Sequence, residues 1–212
     1  MCGVPQMTAT ARQIQSSAAM DSTLAFYEAH ADEYARRTLD ADLSVVRRRF
    51  AMRLPPAAKI LDLGCGPGRD LRAFAALGFK PVGLDASPSL VRIARSVSGA
   101  PVSVGRIEEI EFDSEFDGIW ACASLLHVPR RDLPQTLKRV RVALKPGAPF
   151  FASVQEGEGD SQAPDGRVFT YFEEREFRSA LSQSGFHSTE AWRTADSLRE
   201  GRCLTWLNFL SS

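Results

Sequence analysis

The chain has 212 residues, of which 44% are hydrophobic and 25% charged, the composition of an ordinary folded domain with a sizeable core. Lys plus Arg and Asp plus Glu each number 26, so no overall charge attracts nucleic acid or an anionic membrane, which leaves only a local patch open. The longest apolar stretches fall far short of the roughly 18 residues that suggest a membrane helix. We therefore expect neither nucleic acid nor membrane as a partner.

The cysteines and the N-terminus carry little functional signal. Cys2, Cys65, Cys122 and Cys203 lie far apart without a CxxC pair, which argues against a zinc site or a thioredoxin-like centre. We expect reduced thiols, a cytoplasmic protein and no metal site. Residues 1–20 lack the continuous apolar run of a secretory signal and are predicted to be a disordered leader before a single domain over 21–212.

Two helices are predicted before the first strand. Residues 21–38 place apolar and aromatic side chains at helical spacing, with Asp21 or Ser22 as the N-cap. These side chains are Leu24, Tyr27, Ala31 and Tyr34. The second helix covers Leu43 to Arg53 and stops before Pro55. The arginines at 47–49 are predicted to form a solvated face.

From residue 59 onwards, short apolar strands alternate with helices of about ten residues. The predicted order is strand 59–63, helix 69–78, strand 80–85, helix 87–97 with Ser87 as N-cap, strands 100–105 and 116–124, helix 131–144 and a strand ending at 154. Such alternation indicates an α/β fold with right-handed crossovers, namely a doubly wound, mostly parallel sheet. Residues 155–167 are predicted as a flexible loop and 172–185 as a helix. The runs 187–194 and 202–210 are predicted as an antiparallel pair at the sheet edge.

The first predicted strand runs into "ILDLGCGPGRD", which has glycines at 64, 66 and 68. Such a loop lets a ligand approach the backbone, and a turn without a ligand needs fewer glycines. The nicotinamide fingerprint G-x-G-x-x-G needs a glycine where Arg69 stands, and no Gly-Lys-Ser/Thr follows for a Walker loop. We predict a ligand site that does not hold a pyrophosphate.

Asp85 ends the next predicted strand, beside the glycine loop. In doubly wound folds an acid at this position bonds a ribose hydroxyl. The alternative role, capping the following helix, is already served by Ser87. The two features together predict an adenosine-type nucleoside.

Four segments in order, "ILDLGCGPG", "GLD", "FDGIWACASLLHV" and "ALKPGAPFFAS", resemble the motifs of class I S-adenosylmethionine-dependent methyltransferases. The segments "FYEAHADEYARRT" and "FTYFEEREF" extend the resemblance, and "WACASLLHVPR" is most similar to the small bacterial tellurite-resistance-like methyltransferases. The resemblance implies a Rossmann-like methyltransferase fold, S-adenosylmethionine as cofactor, and in-line methyl transfer to a small-molecule or oxyanion acceptor. It also implies a helical lid over 21–54 and an α/β core over 57–212.

The resemblance implies a role for each matching residue. Backbone at Gly64, Cys65 and Gly66 would approach the methionine and ribose, Asp62 would orient the amino end, and Asp85 would hold the ribose hydroxyls. Ala86, Arg106 and Ile107 would surround the adenine, and Ala121 or Cys122 would face the methionine. Arg106 stands where the family usually has Asp, so no contact from this side chain to the adenine amino group is expected.

For the chemistry, His127 is the candidate general base, since an unperturbed imidazole titrates near pH 6.5. The alternative is a capping or packing histidine. The lid would bring Tyr27, Tyr34 and Arg37 near the methionine carboxylate or the substrate, with Tyr34 as the second catalytic candidate; helix packing alone also explains the tyrosines. A protein that binds S-adenosylmethionine without turnover and a nicotinamide-dependent oxidoreductase remain as alternative functions. The motif of DNA adenine methyltransferases is absent, because "ACASLL" follows the fourth strand instead.

Overall fold

Six strands that run in one direction and one strand that runs in the opposite direction form the central sheet of the computed structural model, which describes residues 21–195 and 204–212. In chain order the strands are β1 (Lys59–Leu63), β2 (Lys80–Asp85), β3 (Val102–Val104), β4 (Gly118–Cys122), β5 (Phe150–Gln155), β6 (Asp160–Gln162), β7 (Val168–Thr170), β8 (Thr189–Ala195) and β9 (Thr205–Ser211). The order across the sheet is β3-β2-β1-β4-β5-β9-β8, while β6 and β7 pair separately. The predicted doubly wound sheet with an antiparallel C-terminal edge is confirmed.

The helices cover both faces of this sheet. They are α1 over residues 21–29, α2 (Ala31–Thr38), α3 (Ser44–Ala51), α4 (Arg69–Ala76), α5 (Pro88–Ser98), α6 (Leu133–Ala143) and α7 (Glu174–Gln183). Short 3-10 turns follow β3 at Ile107–Glu109 and β4 at Leu125–His127. Ser87 caps α5 as predicted, because its Oγ accepts from the Leu90 amide at 3.1 Å and Pro88 opens the helix.

The strand β4 shows why the central strands are apolar throughout. Ile119 and Ala121 contact the cluster under α6 and α7, whereas Trp120 between them faces the opposite side, beneath α3 and α4. Trp120 stacks on Phe151 with ring centroids 4.0 Å apart. A parallel strand buried on both faces loses the polar alternation of a half-exposed strand.

The register brings the strand ends to one edge. Asp62 pairs with Gly83, and Cys122 pairs with Ser153, in parallel alignment. Since parallel strands all end on the same side, the residues that follow β1, β2, β3, β4 and β5 meet there. This edge is where doubly wound sheets bind their ligands.

The predicted start and continuity of the first helix are wrong. Asp21 and Ser22 lie inside α1 rather than at a cap, and the helix predicted over 21–38 is divided at His30, where φ is −120° and ψ is 20°. The His30 ring stacks on Phe26, and its Nδ1 lies 2.9 Å from the Phe26 carbonyl oxygen. This side-chain contact accompanies the local break between α1 and α2.

The prediction of a flexible loop over 155–167 is also wrong. This segment contains β6, which pairs with β7 from Asp160–Thr170 to Gln162–Val168. Arg130 donates to the Gly159 carbonyl at 3.2 Å and so ties the hairpin to the chain before α6. Its order comes from backbone pairing and a distant arginine, neither of which appears in its polar composition. The predicted leader over 1–20 lies outside the described residues.

Candidate functional site

Two neighbouring cavities lie at the carboxyl edge of the sheet and share a wall. The first contains the candidate general base His127 and most of the predicted cofactor residues, namely Tyr27, Tyr34, Gly64, Gly66, Asp85, Ala86, Arg106 and Ile107. The second is lined by the remaining ones that face a cavity, Arg37 and Cys122, together with Tyr27, Tyr34 and His127. Asp62, Cys65 and Ala121 line neither cavity.

The glycine loop forms the floor of the first cavity. Gly64, Gly66 and Gly68 all have positive φ, at 70°, 54° and 88°, a conformation that other L-residues rarely adopt. A Cβ at position 64 would lie 2.4 Å from Cβ of Ser124, so a side chain there would collide with the opposite wall. The side chain of Cys65 packs in the core, and its amide donates to the Leu84 carbonyl at 3.0 Å. The loop therefore offers backbone to the cavity.

Asp85 stands beside this loop as predicted. Its carboxylate accepts from the Gly66 amide at 2.8 Å and from the Ser87 amide at 2.9 Å. Burial raises the pKa of this carboxyl above its ordinary value, although the two amide donors oppose the rise. Each carboxylate oxygen still has a free lone pair. Asp85 thus orders the loop and keeps acceptor capacity for a ligand.

Two buried polar atoms near the loop lack partners among the described residues. They are Oδ2 of Asp62, beneath the loop, and Oγ of Ser124, in the cavity wall. Burial raises the pKa of Asp62 well above its ordinary value, and neighbouring Asp70 adds to the rise. Ala121 is fully buried in the core, so of the two residues predicted to face the methionine only Cys122 lines a cavity. Ser124 was not identified from the sequence.

A buried ion-pair cluster underlies the second cavity. Asp70 accepts from Arg47 at 2.7 Å, from Arg69 at 2.6 Å and from the Trp120 indole at 3.1 Å. Burial alone would raise the pKa of Asp70, but the two guanidinium groups lower it below its ordinary value. The prediction of a solvated face over 47–49 is wrong for Arg47, whose side chain is 13% exposed. The sequence analysis noted Arg69 only because it replaces the third glycine of the nicotinamide fingerprint, and did not predict its ion pair with Asp70.

His127 connects the two cavities through hydrogen bonds on both ring nitrogens. Its Nδ1 lies 2.9 Å from the Val168 carbonyl oxygen, and its Nε2 lies 3.0 Å from the Tyr27 hydroxyl. A carbonyl oxygen can only accept, so Nδ1 carries the proton and the neutral ring presents the Nε2 lone pair to Tyr27. Burial lowers the pKa of His127 to about 4, which corrects the expectation of titration near pH 6.5.

The helix α1 covers both cavities and is tied down on two sides. On one side, Glu28 accepts from the Ser87 hydroxyl, from the Ser89 amide at 3.0 Å and from the Ser89 hydroxyl at 2.9 Å. On the other side, the Val168 amide donates to the Thr23 hydroxyl at 3.0 Å. These partners are 59 to 145 residues away in the chain, so no local pattern could have revealed them.

The second cavity has a strongly cationic lining. Arg37, Arg69 and Arg167 line it, and no described lining residue is Asp or Glu. Arg69 and Arg167 are paired with the carboxylates of Asp70 and Asp165, whereas Arg37 makes no ion pair or hydrogen bond to a described residue.

The described part of the chain, residues 21–195 and 204–212, has neither a metal centre nor a membrane-spanning helix. That part of the chain holds no group of three or more His, Cys, Asp and Glu side chains arranged to bind a metal ion. It also has no helix long and apolar enough to cross a bilayer. Cys65 and Cys122 are both free thiols, and burial raises the pKa of Cys122 to about 11.

Comparison with known proteins identifies the domain. Residues 60–147 match the family model described as a methyltransferase domain. A ubiquinone biosynthesis O-methyltransferase from Xanthomonas axonopodis pv. citri is 33% identical over 148 residues, covering 60% of this chain and 61% of that protein. The O-methyltransferase resE of Aspergillus sclerotiorum is 26% identical over 190 residues, covering 79% and 70%. The chain spans about half to three fifths of the length of the first ubiquinone-biosynthesis relatives that it matches.

A solved structure reproduces the fold over nearly the whole chain. It is the 1,6-didemethyltoxoflavin-N1-methyltransferase of Burkholderia thailandensis, crystallised with 1,6-didemethyltoxoflavin and S-adenosylhomocysteine. It superposes with a TM-score of 0.76 at 19% identity and covers 99% of this chain and 92% of its own. Residues 60–147, the segment that matches the methyltransferase family model, contain the glycine loop, Asp85 and His127. The α/β core of this chain therefore has the fold of S-adenosylmethionine-dependent methyltransferases, and residues 60–147 match a methyltransferase domain.

Proposed function

We propose that this chain transfers a methyl group from S-adenosylmethionine to an oxygen of a small, planar, negatively charged acceptor. The observation that carries the proposal is the wall shared by the two cavities, formed by Tyr27, Tyr34, Ala123 and His127. A donor in the first cavity and an acceptor in the second would meet across it. The curated relatives support an oxygen acceptor because they are named O-methyltransferases.

The first cavity fits S-adenosylmethionine on structural grounds. The glycine loop exposes backbone where a side chain would collide, and Asp85 retains acceptor capacity for ribose hydroxyls. Bound there, the cofactor supplies a methyl group already activated on a sulfonium. The residues then need mainly to orient the partners and exclude water, and orientation alone can supply about 7–11 kcal/mol.

The second cavity suits an anionic acceptor. Its three arginines and lack of carboxylates favour negative charge, and the unpaired Arg37 would bind it directly. Phe169 and Trp206 add flat apolar surface to the lining. Gln155, which is 4% exposed, also lines the cavity, and its amide group has no hydrogen-bond partner among the described residues. This amide would pair with a carbonyl or hydroxyl on the ring.

Tyr27 and His127 would remove the acceptor proton together. Tyr27 lines both cavities, and its hydroxyl donates to Nε2 of His127. The Tyr27 oxygen could therefore take up the acceptor proton while its own hydrogen passes to the imidazole. The Val168 carbonyl holds Nδ1–H and stabilises the imidazolium that forms. A low pKa makes His127 a weak base, yet a hydroxyl becomes far more acidic as its oxygen gains the methyl group. Tyr34 would complete the wall that excludes water.

The helices over 21–54 would act as the lid, with Glu28, Ser22 and Thr23 holding α1 closed. The similarity of "WACASLLHVPR" to the tellurite-resistance-like subgroup remains part of this proposal.

Calorimetry tests the cofactor. S-adenosylmethionine, S-adenosylhomocysteine and the reduced nicotinamides are titrated into separate samples of the full chain. Micromolar binding of the first two alone supports the proposal. Binding of a reduced nicotinamide instead would favour an oxidoreductase and contradict it.

A charge series tests the acceptor. Protocatechuate, catechol and dopamine share one catechol ring and carry a negative, a neutral and a positive substituent. With saturating donor, we expect the formation of S-adenosylhomocysteine to decrease in that order. Donor binding without turnover on these and a broad acceptor panel would favour a non-catalytic binding protein.

A further inference from the structure

The face of the sheet beneath the second cavity changes from apolar to polar towards its carboxyl edge. Phe151 on β5 and Leu210 on β9 pair in register and belong to the apolar cluster that also contains Trp120. Every second residue of a strand lies on the same face. The next side chains on this face are therefore Ser153, which pairs with Asn208, and then Gln155. A buried sheet face that becomes polar needs hydrogen-bond partners there.

The three polar side chains are almost completely buried. Ser153 and Asn208 are 3% exposed, and Gln155 is 4% exposed. Ser153 has its partners within the protein, because its Oγ accepts from the Ala123 amide at 2.9 Å and donates to Sγ of Cys122 at 3.6 Å. The amide of Gln155 has no such partner among the described residues. Buried polar groups are normally paired, so this face is incomplete without a ligand.

Hydrogen bonds to its nitrogen fix the orientation of the Asn208 amide. Nδ2 lies 3.0 Å from the Thr194 hydroxyl, 3.3 Å from the Trp192 carbonyl oxygen and 3.4 Å from the Trp206 carbonyl oxygen. A carbonyl oxygen can only accept, so the atom that faces these groups is the amide nitrogen, and its two hydrogens are engaged there. Oδ1 is then the atom left on the other side of the amide, and no described residue donates to it.

This oxygen opens onto the second cavity. Asn208 and Gln155 both line that cavity. Among the described residues, the side-chain atoms that lack a partner and are also sealed from solvent belong to Asp62, Glu108 and Ser124. Oδ1 of Asn208 lacks a partner but is not one of these sealed atoms. It can therefore accept a hydrogen bond from a molecule in the cavity.

The arginines of the same cavity cannot satisfy this oxygen while a ligand occupies the space between them. A guanidinium group only donates, so Arg37 and Arg69 call for negative charge on the ligand, whereas Oδ1 of Asn208 calls for a donor. A simple anion without hydrogen would satisfy the arginines and leave Oδ1 unpaired, at a cost in affinity. The ligand that satisfies both carries a negative charge and an O–H or N–H group.

We propose that Asn208 accepts a hydrogen bond from an O–H or N–H group of the methyl acceptor. The second cavity then selects planar anions that carry a donor in addition to the oxygen that is methylated. This inference rests on the proposed function, since it assumes that the second cavity holds the acceptor.

The test compares ligands that differ in one donor. With S-adenosylhomocysteine at saturation, calorimetry measures the binding of protocatechuate and of its two analogues in which fluorine replaces one hydroxyl at a time. Fluorine is close in size to a hydroxyl but donates no hydrogen bond. In the wild type, we expect one of the two analogues to bind at least about tenfold more weakly than protocatechuate.

Three variants assign this preference to a residue. Asn208→Leu should lose most of it, because leucine is similar in size and has no acceptor. Asn208→Asp should keep it, since a carboxylate still accepts, although its charge weakens the binding of every anion. Arg37→Gln is the control for charge and should weaken all three ligands by a similar factor, which leaves their ratio unchanged. Because a ratio of affinities does not depend on the fraction of folded protein, a partly unstable variant still gives an answer.

The outcomes separate this inference from the proposed function. A preference for the hydroxyl that persists in Asn208→Leu would overturn the inference, as would a wild type that binds both fluorinated analogues as tightly as protocatechuate. If the preference depends on Asn208 but no acceptor is methylated, recognition of a donor by Asn208 is upheld and the proposed function is overturned. A wild type that binds S-adenosylhomocysteine but not protocatechuate would overturn both the anionic acceptor site and this inference.

Discussion

The two cavities differ in how they are built, although they share a wall. The first is lined by the backbone of the glycine loop and by two acidic residues, Asp85 and Glu108. The second is formed by side chains from distant parts of the chain and has arginines but no described acid in its lining. In the proposed function, the first cavity would recognise the cofactor through backbone geometry, and the second would recognise an acceptor through side-chain charge. The following variants should each affect one cavity or the shared wall.

Breaking the shared wall should give the largest effect. We expect His127→Gln to lower kcat by about 10²–10⁴, the usual contribution of a general base, while the affinity for S-adenosylhomocysteine changes less than about threefold. Tyr27→Phe should reduce kcat similarly, because it removes the hydroxyl that connects acceptor and imidazole. Steady-state kinetics and calorimetry provide the two measurements. A full kcat in His127→Gln would assign the ring to packing.

Distorting the glycine loop should affect the first cavity. Gly64→Ala places a Cβ 2.4 Å from that of Ser124 and imposes a left-handed conformation on alanine. We expect affinity for S-adenosylhomocysteine to fall by at least about 100-fold, or about 2.7 kcal/mol. Gly78→Ala is the control, since Gly78 has φ of 84° but no atom within 4 Å of the added Cβ. Equal losses in both variants would show that backbone strain, and not the loop's fit to its ligand, is responsible.

The buried state of His127 predicts a pH dependence of stability. Its pKa is about 4 in the folded protein and near 6.5 when unfolded, so the unfolded state binds more protons between these values. Stability should therefore be lost as the pH falls from about 6.5 towards 4. Relative to His127→Gln, the wild type should lose about 2 kcal/mol of unfolding free energy between pH 7 and pH 5. Urea unfolding at both pH values measures this difference; parallel changes in the two proteins would refute the burial of a neutral ring.

Neutralising Arg37 should affect only the second cavity, and modestly, because the side chain is exposed. We expect Arg37→Gln to reduce the preference for protocatechuate over catechol by about tenfold, the effect of losing one charge-assisted hydrogen bond. Arg36→Gln is the control on the same helix, since Arg36 lines neither cavity. If only Arg36→Gln altered the preference, the anion would bind elsewhere.

Features carried by local sequence were predicted correctly. The alternating strands and helices and the Ser87 cap depend on residues within a few positions of one another. The position of Asp85 beside the glycine loop follows from the parallel pairing of β1 with β2, and the antiparallel edge of β8 and β9 follows from two consecutive strand-like runs. Periodicity and spacing are sufficient for such features because turns and strands form from neighbouring residues.

Features that depend on distant contacts were missed or predicted wrongly. Arg47 reads as one of three solvated arginines, yet it binds Asp70, 23 residues away. The hairpin of β6 and β7 reads as a loop, and Glu28 gives no sign that it binds the start of α5. The lowered pKa of His127 follows from burial under α1, which no local pattern describes.

The sequence by itself determined the sheet and the glycine loop, because these depend on backbone conformation and on residue types at fixed spacing. Only the tertiary structure decided the second cavity, the tautomer of His127 and the burial of the Glu108 carboxylate. These depend on which side chains from separate elements come within hydrogen-bond distance, and that is set by packing.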